Sequence, residues 1–336
     1  MTPEPSRPAG KSIVMRAYGP PAVLVWEPVA APSLGPDEIL LRTIASAVNH
    51  SDLEIRAGNW PIQRASPFPY VPGLEVVGEV VAAGARVSEF RPGDRAITMM
   101  QGLGGVRSER PGGYAEHVVV AAAAAAAVPP DLDPLDVATL GLAAVTAYEG
   151  LRKIGPLDHR RIAVTGAAGG VGSAAIAIAR SQGAEVVAVV PRSEQVGHVR
   201  ALGAADVVVI DEVARGALGE ESVDGLLDTV AGPCFGSFVA ALRPGGTLSL
   251  VGAVGGHEVR LDAYALMEIV LTGYSSETLD GASLRRAIAA IGEWLRQGAL
   301  QVPSRTLFPL HAAAAAHERL ERHDLRGRTL LVPDRA

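Results

Sequence analysis

Up to about Pro130 the chain runs in short apolar stretches rich in β-branched residues: IVMRAY, LVWEPV, EILLRTIASAV, VVGEVVAAG, RAITMM and AEHVVVA. Gly, Pro and Asp punctuate them at GPP, LGPDE and RPGD. Strand-like runs bounded by turn formers predict an antiparallel, barrel-like domain from about Lys11 to Pro130. The stretch from Thr98 to Gly113, TMMQGLGGVRSERPGG, has no period. It reads as a long loop, either a binding loop on a rigid scaffold or a plain surface connection. The alanine run Ala121–Ala127 reads as a helical turn or as composition bias and is assigned no function.

From Asp136 the rhythm becomes an alternation of strands and helices. A helix from Asp136 to Lys153, with Asp133 or Asp136 near its start, leads into RIAVTG (strand), VGSAAIAIARSQG (helix), EVVAVV (strand), SEQVGHVRALG (helix), ADVVVI (strand), DGLLDTV (strand), FGSFVAALRPGG (helix) and TLSLVG (strand). Helices that end near a Gly have the expected punctuation. Apolar strands separated by helices predict a parallel sheet covered on both faces. EIVLTGY reads as one more strand and SLRRAIAAIGEWLRQG as an amphipathic helix. The segment LFPLHAAAAAHERLERHDLRGRTLLVP reads as strand, helix and strand returning to the first domain.

Composition narrows the function classes. A chain of 336 residues is long for one core, which predicts two domains. It is 48% hydrophobic and 20% charged, the balance of a folded globular protein. A net charge of −6 with no Lys/Arg run argues against a nucleic-acid partner. The opening MTPEPSRPAGK reads as a loose polar tail without the apolar core of a signal peptide. No run is long enough to span a bilayer, so a cytoplasmic protein with no membrane partner is expected. The single cysteine, Cys234, excludes an intrachain disulfide and a Cys-rich metal site.

The strand RIAVTG opens into GAAGGVGSAA. Ala167, Gly169 and Gly172 fill the three glycine positions of a dinucleotide fingerprint, and Ala167, Ala168, Gly169, Gly170, Val171 and Gly172 form the loop. Such a turn brings backbone N–H groups and a helix N-terminus up to a pyrophosphate, where side chains would intrude. Read alone it is also a structural glycine turn; the strand before, the helix after and the strand about twenty residues on favour the cofactor. At the end of that second strand an NAD site needs an acidic residue. Here Pro191-Arg192-Ser193 follows, and Arg192 with Ser193 suits a 2′-phosphate, or Arg192 is a solvated surface charge. NADP(H) is the expected cofactor.

Domain order and motifs together resemble the medium-chain dehydrogenase/reductase superfamily, and within it the zinc-independent quinone oxidoreductase branch. The resemblance rests on VNHSDLEIRAG, PGLEVVGEV, RPGDR, GGYAEHVVV, AAVTAYEGL, the AAGGVG loop, LGAADVVV, LRPGGTLSLVG and GRTLLVP, and covers nearly the whole chain. It implies an α/β fold: a GroES-like β-barrel catalytic domain (1–132 and 276–336) and a Rossmann doubly wound parallel-sheet NADP-binding domain (133–275). Zinc members hold their metal with an early Cys, the His of Gly-His-Glu and a later Cys or acidic residue. Here Asn49-His50 stands at the first place and Leu74 replaces the His. Glu75 remains, read as a structural hydrogen bond or ion pair inside the barrel, because one carboxylate cannot hold zinc. No metal site is expected.

Without a metal to polarise an alcohol, the resemblance implies hydride addition to a quinone or to the C=C of an enone, the enolate charge being met by hydrogen-bond donors. It places Asn49 in the active site near the nicotinamide, as a polar donor to the substrate carbonyl or to the carboxamide. Asp52 matches the same pattern, or is a structural turn carboxylate. Trp60 stands where the family often has Tyr, and either stacks on a flat substrate or packs in the core. Thr146 matches a residue near the nicotinamide, Gly252 closes the LRPGGTLSLVG motif at the cofactor, and Arg328 replaces a Lys that reaches the cofactor phosphates. One departure concerns NADP: the Tyr that such members carry in the register of Ile210 or Asp211 is missing, and an Asp there disfavours a 2′-phosphate. An enoyl thioester reductase, with Arg107 and Arg110 as a basic rim, and a cofactor-binding protein with little turnover are the alternative readings. The resemblance also implies a homodimer joined through edge strands, for which EIVLTGY is the candidate.

Overall fold

The structure, a computed structural model, describes residues 10–30, 32–60, 62, 64, 67–103, 107–210, 218–322 and 327–334. The N-terminal tail through residue 9, residues 104–106 of the long loop, and Asp211 lie outside the described residues. In chain order the first elements are β1 (Gly10–Val14), β2 (Val25–Val29), β3 (Glu38–Ala47), α1 (His50–Ala57), β4 (Glu75–Ala83), β5 (Arg95–Met99), β6 (His117–Ala121), β7 (Ala125–Ala127) and α2 (Pro134–Ile154). Then come β8 (Arg161–Val164), α3 (Gly170–Ser181), β9 (Glu185–Val190), α4 (Val196–Ala201), β10 (Asp206–Val209), β11 (Val223–Asp228), α5 (Phe235–Ala240), β12 (Leu242–Leu250) and β13 (Val270–Gly273). The last are α6 (Gly281–Arg296), β14 (Arg305–Pro309), α7 (Ala313–Glu321) and β15 (Arg328–Val332).

Contacts divide the chain into two units, one of residues 1–141, 277–289 and 302–336 and one of residues 142–276 and 290–301. The first unit keeps residues 133–141, which the sequence reading gave to the cofactor domain. Asp136 accepts from Arg305 on β14, and the Thr139 carbonyl accepts from Arg328 on β15. The start of α2 is capped by Asp133, whose Oδ1 accepts from Leu135 N at 2.9 Å.

In the first unit β3 is the organising strand. It pairs antiparallel with β4 along one edge, and with β6 and β15 along the other. Strands β5 and β7 extend the β4 side, and β14 lies parallel to β15, as a strand–helix–strand return requires. Ile39, Leu41, Val76, Val80, Ala96 and Val118 point inward from these strands and are buried together. The alanine run ends β6, makes one 3-10 helical turn at Ala122–Ala124 and continues as β7.

A buried polar chain ties α7 to α1 in this unit. Arg56 donates to the Gly19 carbonyl, to Glu321 and to His317 Nδ1, the last at 3.5 Å. His317 Nε2 lies 3.2 Å from the Tyr114 hydroxyl, with the rings edge to face. Because Arg56 can only donate, Nδ1 must accept and Nε2 carries the proton of the neutral ring. Burial, then the Arg56 charge, push His317 down to about 3.

The second unit is a six-stranded parallel sheet in the order β10-β9-β8-β11-β12-β13. Phe235, Phe238 and Val239 of α5 bury against Leu226, Leu242 and Leu248. This helix ends at Ala240, earlier than FGSFVAALRPGG suggested. Pro244 lacks an N–H and Gly245 sits at φ +80°, so LRPGG cannot continue a helix. It forms a bulge in β12 instead, where the register jumps between the Val223↔Leu242 and Gly225↔Thr247 pairs. Strand β13 is an edge strand, and Val270 and Leu271 on it are 51% and 39% exposed.

Candidate functional site

In the second unit the sheet order reverses between β8 and β11: the chain leaves β8 for β9 and β10, then returns to β11 on the other side. In a doubly wound sheet that switch point opens a crevice at the carboxyl ends of the strands. Both loops that flank it are tightly sewn. Thr165 Oγ1 donates to Asp228 Oδ1 at 2.6 Å, and Thr229 Oγ1 donates to the Thr165 carbonyl at 2.9 Å. Asp228 also accepts from Val230 N and Ala231 N. Burial pushes the Asp228 carboxyl up, against these hydrogen bonds. They hold Ala231 at φ +54°, a conformation a non-glycine residue adopts only under such constraint. The strand-ending residues DTVA carried no motif in the sequence; only their place after an apolar run marks them.

The residues around this turn fit a nicotinamide dinucleotide. The first N–H groups of α3 have no partner inside the helix. A Cβ on Gly172 would stand 2.6 Å from the Ala167 Cα, so the loop closes against the helix only with glycine there. Ala167 departs from the glycine pattern and is wholly buried, its methyl inside the core. Ala168, Gly169, Gly170 and Val171 complete the turn, and Gly169 N bonds the Gly166 carbonyl. Gly252, after β12, packs on the Thr229 backbone. Arg192 and Ser193 lie exposed just beyond β9. Thr146 is buried on α2. His198 of α4, unremarked in the sequence, reaches Ser173 in the first turns of α3, Nε2 to Oγ 3.3 Å.

In the first unit α1, β4 and β15 bring Asn49, Asp52, Glu75 and Arg328 together. Asp52 is the third helical residue of α1; its Oδ2 accepts from Asn49 N at 2.8 Å and its Oδ1 from Leu74 N at 3.1 Å. Burial, with a smaller push from Glu75, raises the Asp52 carboxyl to about 7. Asn49 Nδ2 donates to Glu75 Oε1 at 2.8 Å, and Arg328 Nη2 donates to Asn49 Oδ1 at 2.8 Å. Arg328 thus turns Nη2 toward Asn49 and Nε toward the Thr139 carbonyl. The second Glu75 oxygen fits because α2 breaks at Gly141, φ 37° and ψ −135°. A Cβ there would stand 2.8 Å from the Glu75 carboxyl carbon.

The donor set at this place does not fit zinc. Leu74, buried at 1% exposure, offers no lone pair. Glu75 is engaged by Asn49 and Arg328, and His50 points away to Glu54 with its side chain 57% exposed. Trp60 is not a core residue: it is 41% exposed, and its indole bonds Glu277. Burial raises the Glu277 carboxyl against Arg107 and Trp60. Arg64 Nη1 holds the Ser108 carbonyl at 2.9 Å, whereas Arg110 is engaged by Glu38.

Comparison with known proteins gives these arrangements a context. Residues 35–130 match the model of the alcohol dehydrogenase GroES-like domain, and residues 170–291 match that of the zinc-binding dehydrogenase. A quinone oxidoreductase of Lama guanicoe is 30% identical over 318 residues, 92% of this chain and 93% of that protein. An acryloyl-coenzyme A reductase of Metallosphaera sedula is 27% identical over 286 residues, 79% and 85% of the two chains. A mycobacterial protein complexed with NADPH superposes with a TM-score of 0.83 at 28% identity, over 96% of this chain and 100% of that one.

Proposed function

This chain belongs to the medium-chain dehydrogenase/reductase superfamily, in its quinone oxidoreductase branch, as an oxidoreductase that joins a GroES-like domain to a Rossmann domain; from that premise we propose that it is an NADPH-dependent, metal-independent reductase of quinones or of the C=C of α,β-unsaturated carbonyl compounds. When bound, the reduced nicotinamide supplies the hydride. The loop from Ala167 to Gly172 receives the pyrophosphate, Arg192 and Ser193 the 2′-phosphate, and Thr146 and Gly252 line the cofactor. Asn49 donates to the carbonyl oxygen, on which charge collects as hydride reaches the β-carbon or the quinone. The observation that carries this reading is an amide fixed by charged partners at the place where zinc-dependent relatives hold metal.

The test is consumption of NADPH and NADH by chelator-treated protein with a small quinone and a medium-chain enone. Turnover that survives chelation and favours NADPH is expected, with Arg192→Ala cutting that preference about tenfold, the loss of one charge-assisted phosphate contact. Turnover only with added metal ends the reading. A second reading, reduction of an enoyl thioester, is supported by exposed Trp60 and by Arg107, both of which act on Glu277, an aromatic and a cation suited to a coenzyme A tail, and by the likeness to the acryloyl-coenzyme A reductase. An enoyl-CoA accepted far better than the free enone would replace the first reading with this one.

The exposed apolar face of β13, with Tyr264 and Met267 just before it 76% and 78% exposed, supports pairing with a second copy. Sedimentation at twice the 34.7 kDa chain mass is expected; a monomer at micromolar concentration rejects the dimer.

A further inference from the structure

Three side chains of the barrel unit close a ring. Asn49 Nδ2 bonds Glu75 Oε1, Arg328 Nη2 bonds Asn49 Oδ1, and that same Nη2 lies 3.5 Å from Glu75 Oε1. An amide held between a carboxylate and a guanidinium has one stable orientation, oxygen to the cation and nitrogen to the anion. A flipped amide would set oxygen against carboxylate and N–H against guanidinium. The ring is buried: Asn49 is 7% exposed, Glu75 2% and the Arg328 side chain 13%. Its members are braced from outside. Thr139 O takes Arg328 Nε at 3.2 Å, and Asp52 takes Asn49 N. In such low-dielectric surroundings charge-assisted bonds are strong and polarise the groups they join. An amide whose oxygen accepts from a cation becomes a better N–H donor. One Nδ2–H goes to Glu75; the other, within reach of the Asp52 carboxyl, which it also helps to stabilise, is the donor that the reductase reading gives to the substrate.

We propose that Arg328 and Glu75 are positioning residues of the reduction, locking the Asn49 amide between opposite charges so that its second N–H is aimed and strengthened for the carbonyl oxygen. This rests on the reductase reading, and it moves Arg328 from the cofactor phosphates to the substrate donor. The planar guanidinium suits the task because it reaches Asn49 Oδ1 and the Thr139 carbonyl at once, which a lysine ammonium does less well.

The chain has two asparagines, Asn49 and the exposed Asn59. Selective ¹⁵N-asparagine labelling therefore gives two side-chain amides, and Asn59→Ser assigns them. In the unaltered protein the Asn49 amide protons are expected to exchange slowly and resonate away from the free-amide position. Arg328→Gln should abolish both properties. It should also lower kcat roughly a hundredfold at saturating NADPH, the loss seen when an oxyanion donor is removed. The NADPH Kd should stay within about twofold and Arg328→Lys should recover part of kcat, a split that a phosphate ligand would not give. Glu75→Gln breaks the ring from its anionic side and carries the same expectation should Arg328→Gln fail to fold. An Asn49 amide unchanged by either substitution overturns the lock. A raised NADPH Kd with unchanged kcat returns Arg328 to the phosphates and overturns the proposal. If the unaltered chain reduces no acceptor, the reductase reading fails and the catalytic half falls with it, while the amide signals still decide the lock.

Discussion

Gly172→Ala is expected to weaken NADPH binding about a hundredfold or more while the barrel unit keeps its fold. The added methyl meets backbone, not a flexible side chain: the Gly166 carbonyl, the Ala167 Cα at 2.6 Å and the Ala167 carbonyl carbon at 2.9 Å. Neither partner can swing aside, because Ala167 N is tied to the Val189 carbonyl and Ala167 is wholly buried. The turn must lift off the helix, and the N–H groups that face a pyrophosphate lose their common direction. A hundredfold loss is about 3 kcal/mol, the order of one or two charge-assisted hydrogen bonds lost. Fluorescence titration with NADPH, beside a circular dichroism spectrum, checks it. An alanine variant that binds as tightly as the parent would show that the loop does not carry the phosphates.

The second large effect is a pH dependence that the parent protein conceals. His317 is displaced from its ordinary 6.5 down to about 3, so above 6.5 both folded and unfolded chains are neutral there. As pH falls below 6.5 the unfolded chain takes up a proton that the folded one refuses, and stability is lost until about pH 3. Asp52 is displaced the other way, from 3.8 up to about 7. Between these values the folded chain keeps a proton that the unfolded one gives up, and stability is lost as pH rises. Each slope is on the order of 1 kcal/mol per pH unit. They oppose each other from about pH 4 to 6.5, so their contributions to the parent's stability should largely cancel there. Asp52→Asn removes one slope and should lose stability as pH falls; His317→Gln removes the other and should lose stability as pH rises. Denaturant midpoints at pH 4.5, 5.5 and 6.5 read this directly. Two variants with parallel profiles would contradict the assignment.

The sequence disclosed what is local. The glycine-rich turn was legible because its pattern lies in six consecutive residues, Ala167 to Gly172, where a strand gives way to a helix. The barrel strands were legible because their apolar alternation is itself the cause of their burial. LRPGG misled because it follows a helical run, and only the pairing of β12 with β11 shows that the Pro and the glycines make a bulge. Trp60 could not be placed from a short turn after α1; its partner Glu277 lies more than two hundred residues later in the chain. Arg328 was read by its motif as a phosphate ligand, whereas its guanidinium bonds Asn49 across a separation of 279 residues. Distances of that kind leave no periodic trace.

That long separation has a consequence for the order in which the molecule is made. A ribosome releases Asn49 and Glu75 early and the whole of the parallel sheet next, well before β15 emerges. The sheet unit finds most of its neighbours within residues 142–276 and can form as a block. The barrel must wait for β14, α7 and β15 to close on β3, a late and entropically slow step. Until then Asn49 lacks the guanidinium that orients it. A nascent or truncated chain that stops short of Arg328 therefore lacks the guanidinium that bonds Asn49 Oδ1, and the ring around this amide is completed last in synthesis.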